Sequence, residues 1–582
     1  MHSASRMTQQ LSLRRLLAVS LSLSLSAATY AQSLIHTFTG DSADSGLGWS
    51  VAGGGDADGD GTPDVIAGAI LFDVGTLPSA GQVRVYSGST GVLLHTINGT
   101  SAFEEFGHSV AFVGDIDQDG KSEFVVGTQR DSTNGPGAGS AIVYSGSDAS
   151  IHFQFLGAAP GDFFGHCVAS AGDVNGDGIP DIAVGAVQWD PQVAPSGGAG
   201  YVDVYSGSNG ALLYKFSGAS AGDFFGSSVA SAGDINGDGR PDLMVGARLD
   251  DTPGQDSGSV SIYSGQNGTL LRFHAGINGD WLGMGVGPAG DFNGDSFADY
   301  LISAPRDDVL YADQGTVYLH SGVDGSTLRT FVGGLTDQLG WSLAATGDLD
   351  GDGVTDFIFG SPSDSTHSFA CGAAFVYSGS SGQLLYQMNG VDSGDFFGAA
   401  VAAAGDVNAD GAPDLIVGAF RDNSPPGSSD PGVVYVFSGS CGPPVTYCTA
   451  KLNSLNCVPT IFHTGVASLS GPDDFFVRAS NVINQRAGLL VWSFQPTAVP
   501  FMGGALCVGK PTTRTPPQLS GGNQGGPDCS GAFAFKFTNN YLLTQRALGG
   551  NTVYTQYYSR DPLHPDGTGV SLTAGLRFTV CP

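Results

Sequence analysis

DVNGDGIPD, residues 173–181, is one of seven copies of a nine-residue acidic pattern, D-x-[DN]-x-D-G-x-x-[DE], whose spacing decides the fold. The others are DADGDGTPD from Asp56, DIDQDGKSE from Asp115, DINGDGRPD from Asp234, DFNGDSFAD from Asp291, DLDGDGVTD from Asp348 and DVNADGAPD from Asp406. Successive copies start 59, 58, 61, 57, 57 and 58 residues apart. A fixed period of this kind marks a repeat architecture, in which each unit buries its core against its neighbours. Oxygen-bearing side chains at alternate positions around a glycine turn are also what a hard cation requires.

The residues around the third copy define one unit. FFGHCVASAGD alternates as a short strand entering the acidic loop, and IAVGA after it is a short apolar run suited to a strand buried on both faces. After a polar loop comes GYVDVYSG, rich in β-branched and aromatic residues, then the turn SGSNG and a fourth strand, LLYKFSG. Four antiparallel strands in ~58 residues is the size of one propeller blade. The third strand recurs seven times, from GQVRVYSG to GVVYVFSG, but the fourth follows only six of them. The missing strand reads LIHTFTG at Leu34 to Gly40, so the N-terminus is expected to supply the outer strand of the seventh blade. The predicted fold is all-β: a seven-bladed propeller over residues 32–440, closed by its N-terminal strand, with no free edges left at the joint.

Composition agrees. The chain of 582 residues holds 91 Gly and only 13% charged residues, which suits short strands joined by turns. Its net charge of −32 argues against nucleic acid and anionic lipid as partners. Twenty-four of the 54 acidic residues lie in the seven loops, and one divalent ion in each would bring the net charge to −18. Arg14 and Arg15 precede the apolar run LLAVSLSLSLSAA and a small-residue site before Gln32. Residues 1–31 therefore read as an export signal, and the run is short for a membrane span. A secreted or cell-surface location follows, with no membrane span and a monomeric propeller expected.

Residues 441–582 break the period and carry six of the eight cysteines: Cys441, Cys448, Cys457, Cys507, Cys529 and Cys581. An even count in an exported module suggests three disulfides, with 15 possible pairings. Zinc is the rival reading, but no C-x-x-C or nearby His pair supports it. The runs IFHTGVASLS, FFVRASNVI, AGLLVWSF, AFAFKFTNN, TVYTQYYSR and LRFTVC suggest a small disulfide-braced β-sandwich. Cys167 and Cys371, in different repeats, read as buried thiols.

The repeated string F-G-x-S-V-A-x-A-G-D-V-N-G-D-G-x-P-D-L-x-V-G-A resembles the FG-GAP repeat of integrin α subunits and of many secreted bacterial proteins. The resemblance covers Leu34 to Ser440, with Phe164-Gly165, Phe225-Gly226 and Phe397-Gly398 keeping the leading pair and Leu47-Gly48, Leu282-Gly283 and Leu339-Gly340 varying it. It implies a propeller whose acidic loops bind Ca²⁺ through side chains at positions 1, 3, 5 and 9 and the carbonyl at position 7. Carried over, the first loop offers Asp56, Asp58, Asp60, Thr62 and Asp64, and the second Asp115, Asp117, Asp119, Lys121 and Glu123. The third offers Asp173, Asn175, Asp177, Ile179 and Asp181, and the fourth Asp234, Asn236, Asp238, Arg240 and Asp242. The fifth offers Asp291, Asn293, Asp295, Phe297 and Asp299, and the sixth Asp348, Asp350, Asp352, Val354 and Asp356. The seventh offers Asp406, Asn408, Asp410, Ala412 and Asp414. Up to seven structural calcium ions are implied. An EF-hand is excluded, since a Glu at position 12 and flanking helices are missing. Glu123 at position 9 and Ser296 at position 6 mark the second and fifth loops as the weakest.

The loops between second and third strands are expected on the opposite face, where binding usually sits. Each carries an Asp, namely Asp73, Asp131, Asp190, Asp250, Asp307, Asp364 and Asp422, read either as a turn-former or as part of a carboxylate ring. Trp189, Arg130, Arg248, Arg306 and Arg421 share that face and suit an acidic or sugar ligand. His108 and His166 follow the Phe-Gly position in adjacent blades and read as packing. No H-E-x-x-H string occurs, and no P-loop string ending in Lys-Ser or Lys-Thr. The sequence thus points to a secreted calcium-binding adhesion module for an extracellular protein or glycan. The alternative is an extracellular polysaccharide lyase or hydrolase on the same scaffold.

Overall fold

The computed structural model describes residues 34–580 apart from 190–197, 310, 366–367, 423–429, 440–444, 466, 468–474, 503, 525 and 546–551. The expected export segment, Asp190, Cys441 and Cys581 lie outside the described residues.

Seven four-stranded antiparallel sheets follow one another along the chain. The first is Leu47–Gly53, Val65–Ala69, Gln82–Tyr86 and Leu93–Asn98; the third, Phe164–Gly172, Asp181–Ala186, Tyr201–Tyr205 and Leu212–Ser217, shows the same order. The second strand of each sheet is buried along its whole length, as in VIAGA, DIAVGA and DLIVGA. Those strands are sandwiched between neighbouring blades, which is why they read as unbroken apolar runs rather than alternating ones. The fourth strands of the first and third blades mix exposed with half-buried residues, since one face meets solvent, while LLYQMN of the sixth is mostly buried.

Inner strands pack in cyclic order, and that of the seventh blade, Ala400–Gly405, packs beside Leu47–Gly53 of the first. Leu34–Thr39 pairs antiparallel with Val433–Phe437 and is the outer strand of the seventh sheet. Its junction with blade one is also polar: the Leu47 amide and the Ser45 hydroxyl both donate to the Pro431 carbonyl, at 3.1 and 2.6 Å. Phe38 on this strand stacks on Tyr86 of the first blade, with centroids 3.8 Å apart. The same stitch joins Phe155 to Tyr205 at 3.9 Å and Phe216 to Tyr263 at 4.2 Å. The repeated Tyr-Ser-Gly string thus supplies an aromatic face to the outer strand of the preceding blade. Arg84, 4% exposed, reaches back to pair with Asp41 just after the first strand.

The C-terminal region is a sandwich. One sheet runs through Val445–Tyr447, Gly575–Thr579, Thr552–Arg560, Ala487–Ser493 and Thr513–Arg514; the other holds Thr460–Thr464, Phe476–Val482 and Gly531–Lys536. Phe475, Val477, Leu490, Trp492, Tyr557 and Phe578 fill the core between them. Disulfides join Cys448 to Cys507 and Cys457 to Cys529, which removes zinc as the role of these four; the third expected bridge falls on residues outside the described set. Cys167 and Cys371 are free thiols, the first half-buried and the second buried. The run AFAFKFTNN corrects one expectation. Its strand ends at Lys536, and a short helix, Asn539–Thr544, follows because the Thr538 hydroxyl accepts from the Tyr541 amide and caps it. Among the described residues no helix is long and apolar enough to cross a membrane.

Removing residues 33–40 takes away one outer strand, the Phe38–Tyr86 stack and the Gly40 bond to the Gly432 carbonyl. The truncated protein is expected to lose about 3 kcal/mol or more of stability. A thermal melt within a degree or two of the parent would contradict this.

Candidate metal loops and the opposite face

Each acidic loop is the turn between the first and second strands of a blade, and its fold follows from carboxylates accepting backbone N–H groups. In the first loop Asp56 accepts from Gly59 and Gly61 at 2.7 and 2.9 Å, Asp58 from Asp60 at 3.0 Å and Asp60 from Thr62 at 2.8 Å. The position-2 residue points the other way, into the core, as Ala57, Val174, Ile235 and Val407 do.

The ninth residue behaves differently from the rest. Asp64 is fully buried, with one oxygen accepting from Ala57 at 2.7 Å and the other from Gly88 at 3.0 Å. Gly88 belongs to the Tyr-Ser-Gly turn between the third and fourth strands. In the same way Asp181 accepts from Val174 and Gly207, Asp242 from Ile235 and Gly265, and Asp414 from Val407 and Gly439. Glu123 keeps the first of these through Ile116 at 2.8 Å. Burial pushes Asp64, Asp181 and Asp414 up to about 6 and Asp242 and Asp356 up to about 7, with neighbouring loop carboxylates adding to the rise. A nearby positive charge would oppose both causes.

The turn glycine cannot be replaced without moving the loop. A Cβ at Gly88 would lie 1.8 Å from the Pro63 carbonyl oxygen, and one at Gly207 1.9 Å from that of Pro180. The Ser of the same turn region donates to position 5, as Ser89 does to Asp60 at 2.6 Å and Ser208 to Asp177 at 2.7 Å. These hydrogen bonds hold Asp60 and Asp177 below the usual carboxylate range.

Three loops bring carboxylate oxygens within 4.8 Å of one another: Asp56, Asp58 and Asp64 in the first, Asp115, Asp117 and Asp119 in the second, and Asp348, Asp350 and Asp356 in the sixth. In the second, Asp117 and Glu123 also meet His152. The third, fourth, fifth and seventh loops carry Asn175, Asn236, Asn293 and Asn408 at position 3, each accepting the position-5 amide through its side-chain oxygen. Such all-oxygen donor sets fit a hard divalent cation. Arg240, at position 7 of the fourth loop, lies 3.7 Å from Asp173 and gives the third loop a built-in counter-charge.

Ser296 at position 6 has φ of 76°, in the region that favours glycine. Position 4 imposes the same demand, which the sequence reading missed. Gly59, Gly176 and Gly351 have φ of 77°, 75° and 79° there, but Gln118 and Ala409 adopt 64° and 55°. The seventh loop therefore joins the second and fifth as a strained one.

The opposite face is aromatic and cationic. Arg306 stacks over Trp281 at 3.6 Å and Arg248 over Phe224 at 4.8 Å, while Arg421 lies 5.8 Å from both Phe396 and Phe420. Trp189, 40% exposed, sits between Phe163 and Phe224 at 6.0 and 6.4 Å. Arg130 pairs with Glu105 at 3.2 Å. Phe163, Phe224, Trp281 and Phe396 each directly precede the Phe-Gly or Leu-Gly pair and hold φ between 51° and 59°. The doubled aromatic in FFG was the only sequence signal for this ring. His108 and His166 lie 4.9 Å apart with their rings tilted and Trp49 beside them, and burial with nearby Arg248 keeps both neutral, His108 falling to about 3. The aspartates of this face anchor strands. Asp307 accepts from Tyr318 at 2.5 Å, Asp422 from Tyr435 at 2.5 Å and Asp250 from Ser259 at 2.6 Å, while Asp73 and Asp131 close turns through Ser79 and Thr133. Asp364 is also buried.

Five segments, 106–144, 168–205, 225–263, 339–382 and 397–437, match the FG-GAP repeat family. The chain is 32% identical to integrin alpha-V of Gallus gallus over 218 residues, which is 34% of this chain and 20% of that one. It is 34% identical to integrin alpha-6 of Gallus gallus over 166 residues, 27% and 15% of the two chains. It is 30% identical to integrin alpha-5 of Xenopus laevis over 164 residues, 26% and 15%. The chain thus matches about a fifth or less of the length of these relatives.

Two predictions test this geometry. Ser296→Gly should raise stability by about 0.5–1 kcal/mol by relieving the left-handed backbone, whereas Gly207→Ala should cost about 1–3 kcal/mol through overpacking against Pro180. Urea melts showing the opposite order would contradict the loop account.

The second concerns pH. Burial raises Asp280, Asp337 and Asp395 to about 6, with Asp307, Asp364 and Asp422 as like-charged neighbours. Between pH about 4 and 6 the native state holds protons that the unfolded chain has released, so these groups make stability fall as pH rises. Asp395→Asn should flatten that slope in melts from pH 4 to 7; an unchanged slope would contradict it.

Proposed function

We propose that this FG-GAP repeat protein, similar in its repeats to integrin alpha subunits, is an exported calcium-stabilised propeller that binds an extracellular protein or glycan. In this reading residues 32–440 form the binding unit and 441–582 a separate disulfide-braced one. Positions 1, 3, 5 and 9 and the position-7 carbonyl of each loop are the calcium ligands. The ions supply positive charge where buried ninth-position carboxylates meet their loop neighbours. The chain's own part is to fold the loop around its N–H groups and leave oxygen lone pairs facing inward. Extracellular calcium modules bind with Kd of ~10⁻⁴ to 10⁻³ M. At ten times Kd each site stabilises by about 1.4 kcal/mol, so seven independent sites reach about 10 kcal/mol, comparable with a domain's net stability.

The observation that carries the binding half is the ring of guanidinium groups on aromatic faces, opposite the loops, in a chain of net charge −32. Stacked guanidinium groups can still turn N–H edges to a carboxylate or sulfate, although Arg306 already lies 4.0 Å from Asp313, and the aromatic faces suit sugar rings or apolar side chains. Trp189 and Arg306 remain exposed enough to be touched.

Melting temperature should fall strongly in EDTA and recover with Ca²⁺, less with Mg²⁺, which demands octahedral geometry and sheds water reluctantly. No shift in EDTA would remove the calcium half. For the other half, an array of acidic glycans and extracellular proteins should give a ligand whose affinity drops about tenfold on Arg306→Ala combined with Trp189→Ala, without turnover. Depolymerisation of an acidic polysaccharide would overturn the adhesion reading in favour of an enzyme.

A further inference from the structure

The C-terminal sandwich carries a third layer. The hairpin Pro496–Phe501 and Gly504–Val508 lies over the outer face of the larger sheet, away from the core between the two sheets. It is pinned there by three contacts. Cys507 is bonded to Cys448; Gln556 donates to the Ala505 carbonyl at 3.0 Å and accepts from the Cys507 amide at 3.1 Å; Phe501 meets Tyr558 edge-on at 5.8 Å. Beside the hairpin is a cleft of about 540 Å³, with a floor of Leu489, Val491 and Tyr558 and a wall of Phe501, Met502 and Leu506. That volume lies within the ~300–1,000 Å³ of small-molecule sites.

Lys510, Arg514 and Arg560 also line this cleft. All three are exposed, and among the described residues none has a carboxylate partner. Their grouping is not a reflection of overall charge. The chain is −32, yet residues 441–582 hold nine Lys and Arg against five Asp and Glu. Three unpaired cations around an apolar cleft call for a ligand with an apolar body and one anionic end. A glycan would need more neutral polar groups than Thr512 and Ser559 provide.

We propose that the cleft between the Pro496–Val508 hairpin and the Leu489–Tyr558 sheet face binds an acyl-chain carboxylate, its tail on the apolar floor and its carboxylate among Lys510, Arg514 and Arg560. Burial pushes the Tyr558 hydroxyl up to about 12, so it stays protonated and can donate to the same carboxylate. The site is independent of the propeller and of its calcium loops.

The test is calorimetric titration of the full chain with dodecanoate below its micelle concentration. The expected result is saturable binding of one equivalent, at least tenfold weaker binding of dodecyltrimethylammonium and no heat with butanoate. The triple variant Lys510→Gln, Arg514→Gln, Arg560→Gln should weaken dodecanoate at least tenfold with an unchanged melting temperature, since all three side chains are exposed. Met502→Glu, at a residue 45% exposed, should do the same by placing a like charge at the wall. Equal binding of the cationic amphiphile, no saturation with dodecanoate or full affinity in the triple variant would each overturn the proposal. Sedimentation with phosphatidylglycerol vesicles, combined with no dodecanoate binding, would overturn it in favour of a lipid surface as the source of the anion.

Discussion

The bond pair made by each ninth-position aspartate, to the loop's own second residue and to the glycine of the next turn, ties two hairpins of a blade together. In Asp64 it spans Ala57 and Gly88, in Asp414 Val407 and Gly439. These residues are fully buried, so the bonds form in a low-dielectric setting where they hold geometry well and where an uncompensated charge is costly. That single arrangement explains the Gly of Tyr-Ser-Gly, whose missing side chain lets the Pro63 or Pro180 carbonyl approach. It also explains why acidic residues recur at fixed spacing in a chain otherwise poor in charge.

From there the architecture is set by shared aromatic faces. The Tyr before the Ser-Gly receives an aromatic from the preceding blade, and at the ring joint that aromatic is Phe38, from the N-terminal strand. These stacks join blades through their third and fourth strands, whereas the first and second strands carry the acidic loops. The two faces of the ring then separate by chemistry: carboxylates at one end of the inner strands, guanidinium groups on aromatic rings at the other.

Much of this was legible in the sequence because period and pattern are strong signals. The missing fourth strand after Phe437 and its counterpart at Leu34 follow from counting repeats, and the pairing of these segments is direct. Other features were hidden because they depend on contacts between units. The positive φ at position 4 is masked by Gly in five copies and shows only where Gln118 and Ala409 occupy it. The ring of Phe163, Phe224, Trp281 and Phe396 read as strand residues, since nothing local reveals that they turn out of the strand. Arg240 beside Asp173 links neighbouring blades and could not be read from either loop alone. The helix at Asn539–Thr544 escaped because a six-residue helix has too little period to register against an aromatic-rich strand.

The account rests on divalent cations filling the acidic loops, and the most direct measurement is metal content. After dialysis against millimolar Ca²⁺ and removal of free ion, elemental analysis should find close to seven calcium ions per chain, with the strained second, fifth and seventh loops the first to empty on dilution. Fewer than about three ions per chain would contradict the assignment.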